Sequence, residues 1–114
     1  MPLGYKIQLQ WLSIYGIIQF VKKIVYTSHL KFRLKVRNIP YDLPKKIFQE
    51  AKEHYHDAAT GHCVAIDRCE FEGKVRDMAV TYDSKRYAVE IITVHPLKPY
   101  QKHSRINSGR WKKI

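Results

Sequence analysis

The sequence predicts an α+β fold of two layers, with helices gathered on one face of a small sheet. Three observations carry that expectation. An amphipathic helical period runs through residues 43–55, three strand-like segments bounded by turn residues follow it, and a shorter strand and helix precede it. At 114 residues the chain is long enough for one domain with one modest core.

Residues 21–27 (VKKIVYT) read as the first strand, and Ser28 is suited to cap a helix over 29–37. Leu30 and Leu34 lie one turn apart and can face a core. His29, Arg33 and Arg37 recur every four residues along an adjoining face. Pro40 disfavours helical geometry at Ile39 and ends that helix. Asp42 and Pro44 then open a second helix that is expected to run to His56, with Leu43, Ile47, Phe48, Ala51 and Tyr55 as its apolar stripe. After the loop DAATGH, strands are expected over 62–71, 75–82 and 86–95, an antiparallel meander with turns at Gly73 and at Asp83-Ser84-Lys85. Met78, Val80 and Tyr82 share a face with Arg76. Tyr87, Val89, Ile91, Thr93 and His95 form one side of the last strand. Pro96 and Pro99 stop that strand and direct a basic tail outward.

The domain proper is thus 21–114, with residues 1–20 as an apolar extension. Gln8, Gln10, Ser13, Gly16 and Gln19 interrupt the extension, which makes it too polar and too short for a stable membrane insertion. It lacks a small-x-small cleavage site as well. The extension is expected to pack on the sheet or to mediate a homodimer, with loose membrane attachment as the alternative.

Charge is polarised along the chain. Residues 1–60 carry ten Lys or Arg against four acids, 61–97 carry five against six, and 98–114 carry six against none, for a formal net charge of +11. Basic flanks around a nearly neutral middle favour a polyanion, RNA or DNA, bound in a salt-sensitive way. Cys63 and Cys69 are the only cysteines; their spacing marks no disulfide scaffold, so a cytoplasmic protein with reduced thiols is expected.

RNA scission through the 2′-hydroxyl needs a proton acceptor, a donor for the departing 5′-oxygen and positive charge around the phosphorane. Histidine suits the first two and arginine the third. His29, Arg33, Arg76, His95 and Arg105 are the candidate catalytic residues. Each also has a structural reading: a first-turn histidine bonded to backbone, the wet face of a helix, a strand-end hydrogen-bonder. Arg37, Lys98, Lys102, His103, Arg110, Trp111, Lys112 and Lys113 are candidate nucleic-acid contacts. Trp111 is suited either to stacking on a base or to anchoring the terminus. The His and Cys spacings match no zinc site, the acids are too scattered for a two-metal nuclease and there is no Gly-rich phosphate loop, so no metal or other cofactor is expected.

The segment YTSHLKFRLKVRNIPYDLPKKIF, the meander ending VEIITVHP and the terminus RINSGRW together resemble uncharacterised domain families grouped with the RelE/ParE and BrnT-like toxins of prokaryotic toxin–antitoxin systems. The resemblance spans roughly residues 21–113. It implies a RelE/BrnT-like fold and metal-independent cleavage of mRNA, free or ribosome-associated, by basic and histidine residues on a concave sheet face. It further implies neutralisation by a small cognate antitoxin. Some related toxins act on DNA gyrase, which leaves a protein target as one alternative; a non-catalytic basic RNA- or DNA-binding or structural module is the other. Convergence of His29, Arg33, Arg76 and Arg105 on one open surface is the structural expectation of the catalytic reading.

Overall fold

The computed structural model describes residues 22–114; the extension over 1–20, with the packing and dimer roles expected of it, lies outside the described residues. The elements run β1 (Lys23–Tyr26), α1 (Ser28–Val36), α2 (Leu43–Glu50), β2 (Glu53–Asp57), β3 (Cys63–Phe71), β4 (Lys74–Ser84), β5 (Ala88–Pro96), α3 (Gln101–Asn107) and β6 (Trp111–Lys113). The strands form one mixed sheet in the order β1-β5-β4-β3-β2-β6. Only β1 with β5 is a parallel pair. The fold is therefore α+β, with a sheet of six strands instead of the four expected.

The helix α1 forms as its pattern requires, but Thr27 is its cap instead of Ser28: the Thr27 hydroxyl accepts from the Leu30 N–H at 3.1 Å. Asn38 ends it in the left-handed region (φ 54°), a conformation asparagine tolerates, and the Ile39 N–H donates to the Leu34 carbonyl at 2.9 Å. Leu30 and Leu34 from α1 join Ile47 and Phe48 from α2 against Ala65, Met78, Val80, Tyr82, Val89 and Ile91 on one face of the sheet. The opposite face carries a second cluster of Tyr55, Val64, Ile66, Ala79, Leu97 and Trp111. The core is therefore split between the two sides of the sheet. Between β3 and β4 the turn places Glu72 and Gly73 both at positive φ, the conformation of a tight two-residue hairpin.

Three further expectations are corrected. The second helix stops at Glu50, and residues expected in its last turn form β2 between β3 and β6. A strand in the sheet interior gains ladder bonds on both sides, and that tertiary gain overrides the local helical period. The tail does not project outward. It forms α3 and then pairs with β2 as β6, so that Tyr55 faces Lys113 and Asp57 faces Trp111. Finally, Tyr82 pairs with Ile91 while Thr81 pairs with Thr93, leaving Ile92 as the extra residue of a bulge. The bulge breaks the alternation of β5: Val89 and Ile91 enter the helix-side core, whereas Thr93 and His95 register opposite Thr81 and Ala79 on the other face.

Among the described residues no helix is long and apolar enough to cross a membrane.

His54, on β2, is buried against Phe48 and Tyr82, with Nδ1 2.8 Å from the Tyr82 hydroxyl. Burial lowers its pKa from 6.5 to about 4, against a weaker opposing backbone hydrogen bond at Ala51. The unfolded chain then binds the proton more readily than the native state between those values, so stability falls as pH drops from 6.5 towards 4. We expect acid titration of the protein, followed by circular dichroism in urea, to show a loss of up to about 3 kcal/mol across that window. A His54→Gln variant, which cannot titrate, should have a flatter profile there.

Candidate functional site

A cleft of about 450 Å³ runs from α1 past the unpaired half of β5 onto the second face of the sheet. Four elements wall it. α1 and its C-cap contribute Arg33 and Arg37, β5 contributes Thr93 and His95, α3 contributes Arg105, and β6 with its preceding turn contributes Arg110 and Trp111. Val64, Thr81 and His62 form its floor and far rim.

The folded tail explains how the RINSGRW terminus reaches this place. The Ser108 hydroxyl donates to the Arg105 carbonyl at 3.1 Å and accepts from the Arg110 N–H at 3.3 Å. Gly109, at φ 79°, turns the chain back from α3 into β6, a conformation that costs glycine little. Arg110 then grips Asp57 with two parallel bonds, Nε to Oδ1 at 2.9 Å and a terminal nitrogen to Oδ2 at 3.0 Å. Trp111 inserts beneath it, 6 % exposed, and stacks on Tyr55 with ring centroids 5.8 Å apart.

Asp57 is the only buried carboxylate among the described residues. The Arg110 guanidinium, with help from the Ala59 N–H, holds its pKa at about 2. The indole N–H of Trp111 lies near the same carboxylate and adds to that effect, without a hydrogen bond of regular geometry. Arg110 is thus largely committed to structure. Arg33, Arg37 and Arg105 differ, since no ion pair engages them among the described residues. Three rigid guanidinium forks around one cleft make a strong anion site.

His95 keeps one side exposed to solvent, yet the protein around it disfavours the imidazolium and lowers its pKa from 6.5. The neutral imidazole, able to accept a proton, is the form held at neutral pH. Thr93 Oγ1, two residues earlier on the same face, is buried with no protein hydrogen-bond partner among the described residues.

The structure brings together five of the residues singled out from sequence: Arg33, Arg37, His95, Arg105 and Arg110, with Trp111 as a wall. It does not bring His29 or Arg76 to them. His29 is exposed on α1 and does not line the cleft. Arg76 lies at the far end of β4, its guanidinium 5.9 Å from the centre of the Phe71 ring, because the alternation that buries Met78 turns it to the helix side. Lys98 and Lys102 border a separate shallow groove with Arg76 and Tyr100, and Lys102 pairs with Glu53 at 3.0 Å. His103 is bonded to Asn107 on the exposed side of α3, and Lys112 and Lys113 face water on β6. The expected four-residue convergence is therefore half met, and a different set defines the site.

Sequence reasoning missed His62, Asp57 and Thr93 as parts of this site. Asp57 and Arg110 are far apart in sequence and no local pattern links them. Thr93 was assigned to a side with Ile91 that the bulge separates. Among the described residues no group of three or more His, Cys, Asp or Glu side chains is placed to hold a metal ion. Compared with known proteins, the chain matches no family model, no curated protein and no solved structure.

Asp57 is the buried half of a bidentate pair whose arginine is partly exposed, and removing its charge weakens the bonds it accepts from Arg110 and from the Ala59 N–H, which is costly. Asp57→Asn is expected to lower the melting temperature by at least about 5 °C in a thermal scan. Because the Asp57 pKa is depressed, the wild-type advantage should be present above pH 3.8 and vanish as pH falls towards 2.

Proposed function

We propose that the cleft binds single-stranded RNA and cleaves it without a metal ion, in the manner of the RelE/BrnT-like toxins that the sequence resembles. One observation carries the proposal: a histidine biased to its neutral form opens into a cleft where Arg33, Arg37 and Arg105 have no carboxylate partner among the described residues. His95 takes the proton of the ribose 2′-hydroxyl, the 2′-oxygen attacks the adjacent phosphorus, and Arg33, Arg37 and Arg105 stabilise the added negative charge of the phosphorane. The products are a 2′,3′-cyclic phosphate and a 5′-hydroxyl. The strand order with two helices on one face supports a RelE/BrnT-like reading of the fold. On the same reading the protein acts in the cytoplasm, and a cognate antitoxin silences it by seating an acidic segment on the arginines.

The non-catalytic alternative, a basic binding module, draws support from His29 and Arg76 lying outside the cleft. Incubating the full chain with mRNA in chelator, with and without ribosomes, separates the two. Wild-type protein should yield cyclic-phosphate ends. His95→Ala should lose about 100-fold or more in rate, and Arg33→Ala or Arg105→Ala about 10- to 100-fold. His29→Ala and Arg76→Ala should stay near wild type. The acidic limb of the pH–rate profile should lie below pH 6.5, where His95 becomes protonated and cannot act as a base. Salt-sensitive binding with no product under any of these conditions overturns the catalytic reading in favour of the binding module.

A further inference from the structure

His62 stands at the rim of the cleft, just before β3, and Asp83 lies beside it on β4. The ring Nδ1 is 2.6 Å from Asp83 Oδ1, a short contact in which the imidazole N–H donates to the carboxylate. Asp83 does not itself line the cleft. The bond therefore draws one ring nitrogen away from the site, fixes the ring and leaves Nε2 for a bound molecule. Two histidines lining one anion-binding cleft, one of them held by a carboxylate outside it, match the two proton transfers of phosphodiester cleavage.

Resting on the ribonuclease reading, we infer that His62, held by Asp83, is the general acid that protonates the departing 5′-oxygen. The proton on the 2′-hydroxyl passes to His95 as the bond from the 2′-oxygen to phosphorus forms. As the bond from phosphorus to the 5′-oxygen breaks, the electron pair goes to that oxygen and His62 Nε2 gives it a proton. Water exchange returns both rings to their starting states, and no other reactant is consumed. Asp83 is a positioning residue, since it acts through His62.

The test uses an RNA oligonucleotide that the wild-type protein cuts, remade with sulfur in place of the bridging 5′-oxygen at the scissile linkage. A thiolate leaves without being protonated, so the need for an acid disappears. His62→Ala and His62→Gln are each expected to lose about 100-fold on the oxygen substrate and to come within about fivefold of wild type on the sulfur substrate. His95→Ala should lose rate on both. Asp83→Asn should show a smaller form of the His62 pattern. Equal losses on both substrates, or no loss on the oxygen one, overturn the acid role while leaving cleavage by the cleft intact. If wild type cuts neither RNA, the ribonuclease reading fails and the acid role fails with it.

Discussion

The Asp57–Arg110 pair is the constraint on which the rest of the molecule depends. It joins the tail to β2, and in doing so turns an edge strand into an interior one. With the pair in place, Trp111 can stack on Tyr55 and close the second cluster, and α3 is held across the face where Arg105 meets the cleft. Without it, the tail would be a string of cations attached to a sheet. The pair also decides which charges remain for a ligand: Arg110 is engaged, whereas among the described residues no ion pair engages Arg33, Arg37 or Arg105. An anion site needs positive charge that the protein has not already neutralised, and here the carboxylate is placed to neutralise only the arginine that serves folding.

The bulge at Ile92 is the second constraint. Purely alternating β5 would keep His95 on the same side as Ile91, under the helices and away from the arginines. One extra residue moves Thr93 and His95 to the open face without moving the core residues that precede them. Charge and chemistry are thus assembled by different devices, a salt bridge for the wall and a bulge for the base.

Much of the fold was legible in local pattern. The α1 stripe of Leu30 and Leu34, the start of α2 at Asp42 and Pro44, and the hairpin at Gly73 follow from period and turn chemistry. Features set by distant partners were not legible. Residues 53–56 fall within the expected second helix, whose apolar stripe reaches Tyr55, and become strand because β3 and β6 are available on both sides. The outward tail was inferred from its prolines, but its direction is set by a carboxylate far back in the chain. For the site, Arg33 and Arg105 are legible because arginine is the residue type suited to a phosphorane, Arg33 recurring with His29 and Arg37 along one helix face and Arg105 lying in the basic tail. Arg76 was misplaced because its sheet face was known only relative to Met78, and nothing in the sequence says which face the helices cover. His62 enters the sequence reading only through the His and Cys spacings that match no zinc site, since its partner Asp83 lies on another strand.

The central claim is that RNA occupies the cleft between α1, β5 and the folded tail. The most direct measurement is an NMR titration of the isotopically labelled full chain with a 2′-O-methyl oligonucleotide, which cannot be cut. The largest shifts are expected on Arg33, Thr93, His95 and Arg105, weakening together as salt is raised. Shifts confined to the groove of Arg76, Lys98 and Tyr100, or no saturable shifts at low salt, would contradict it.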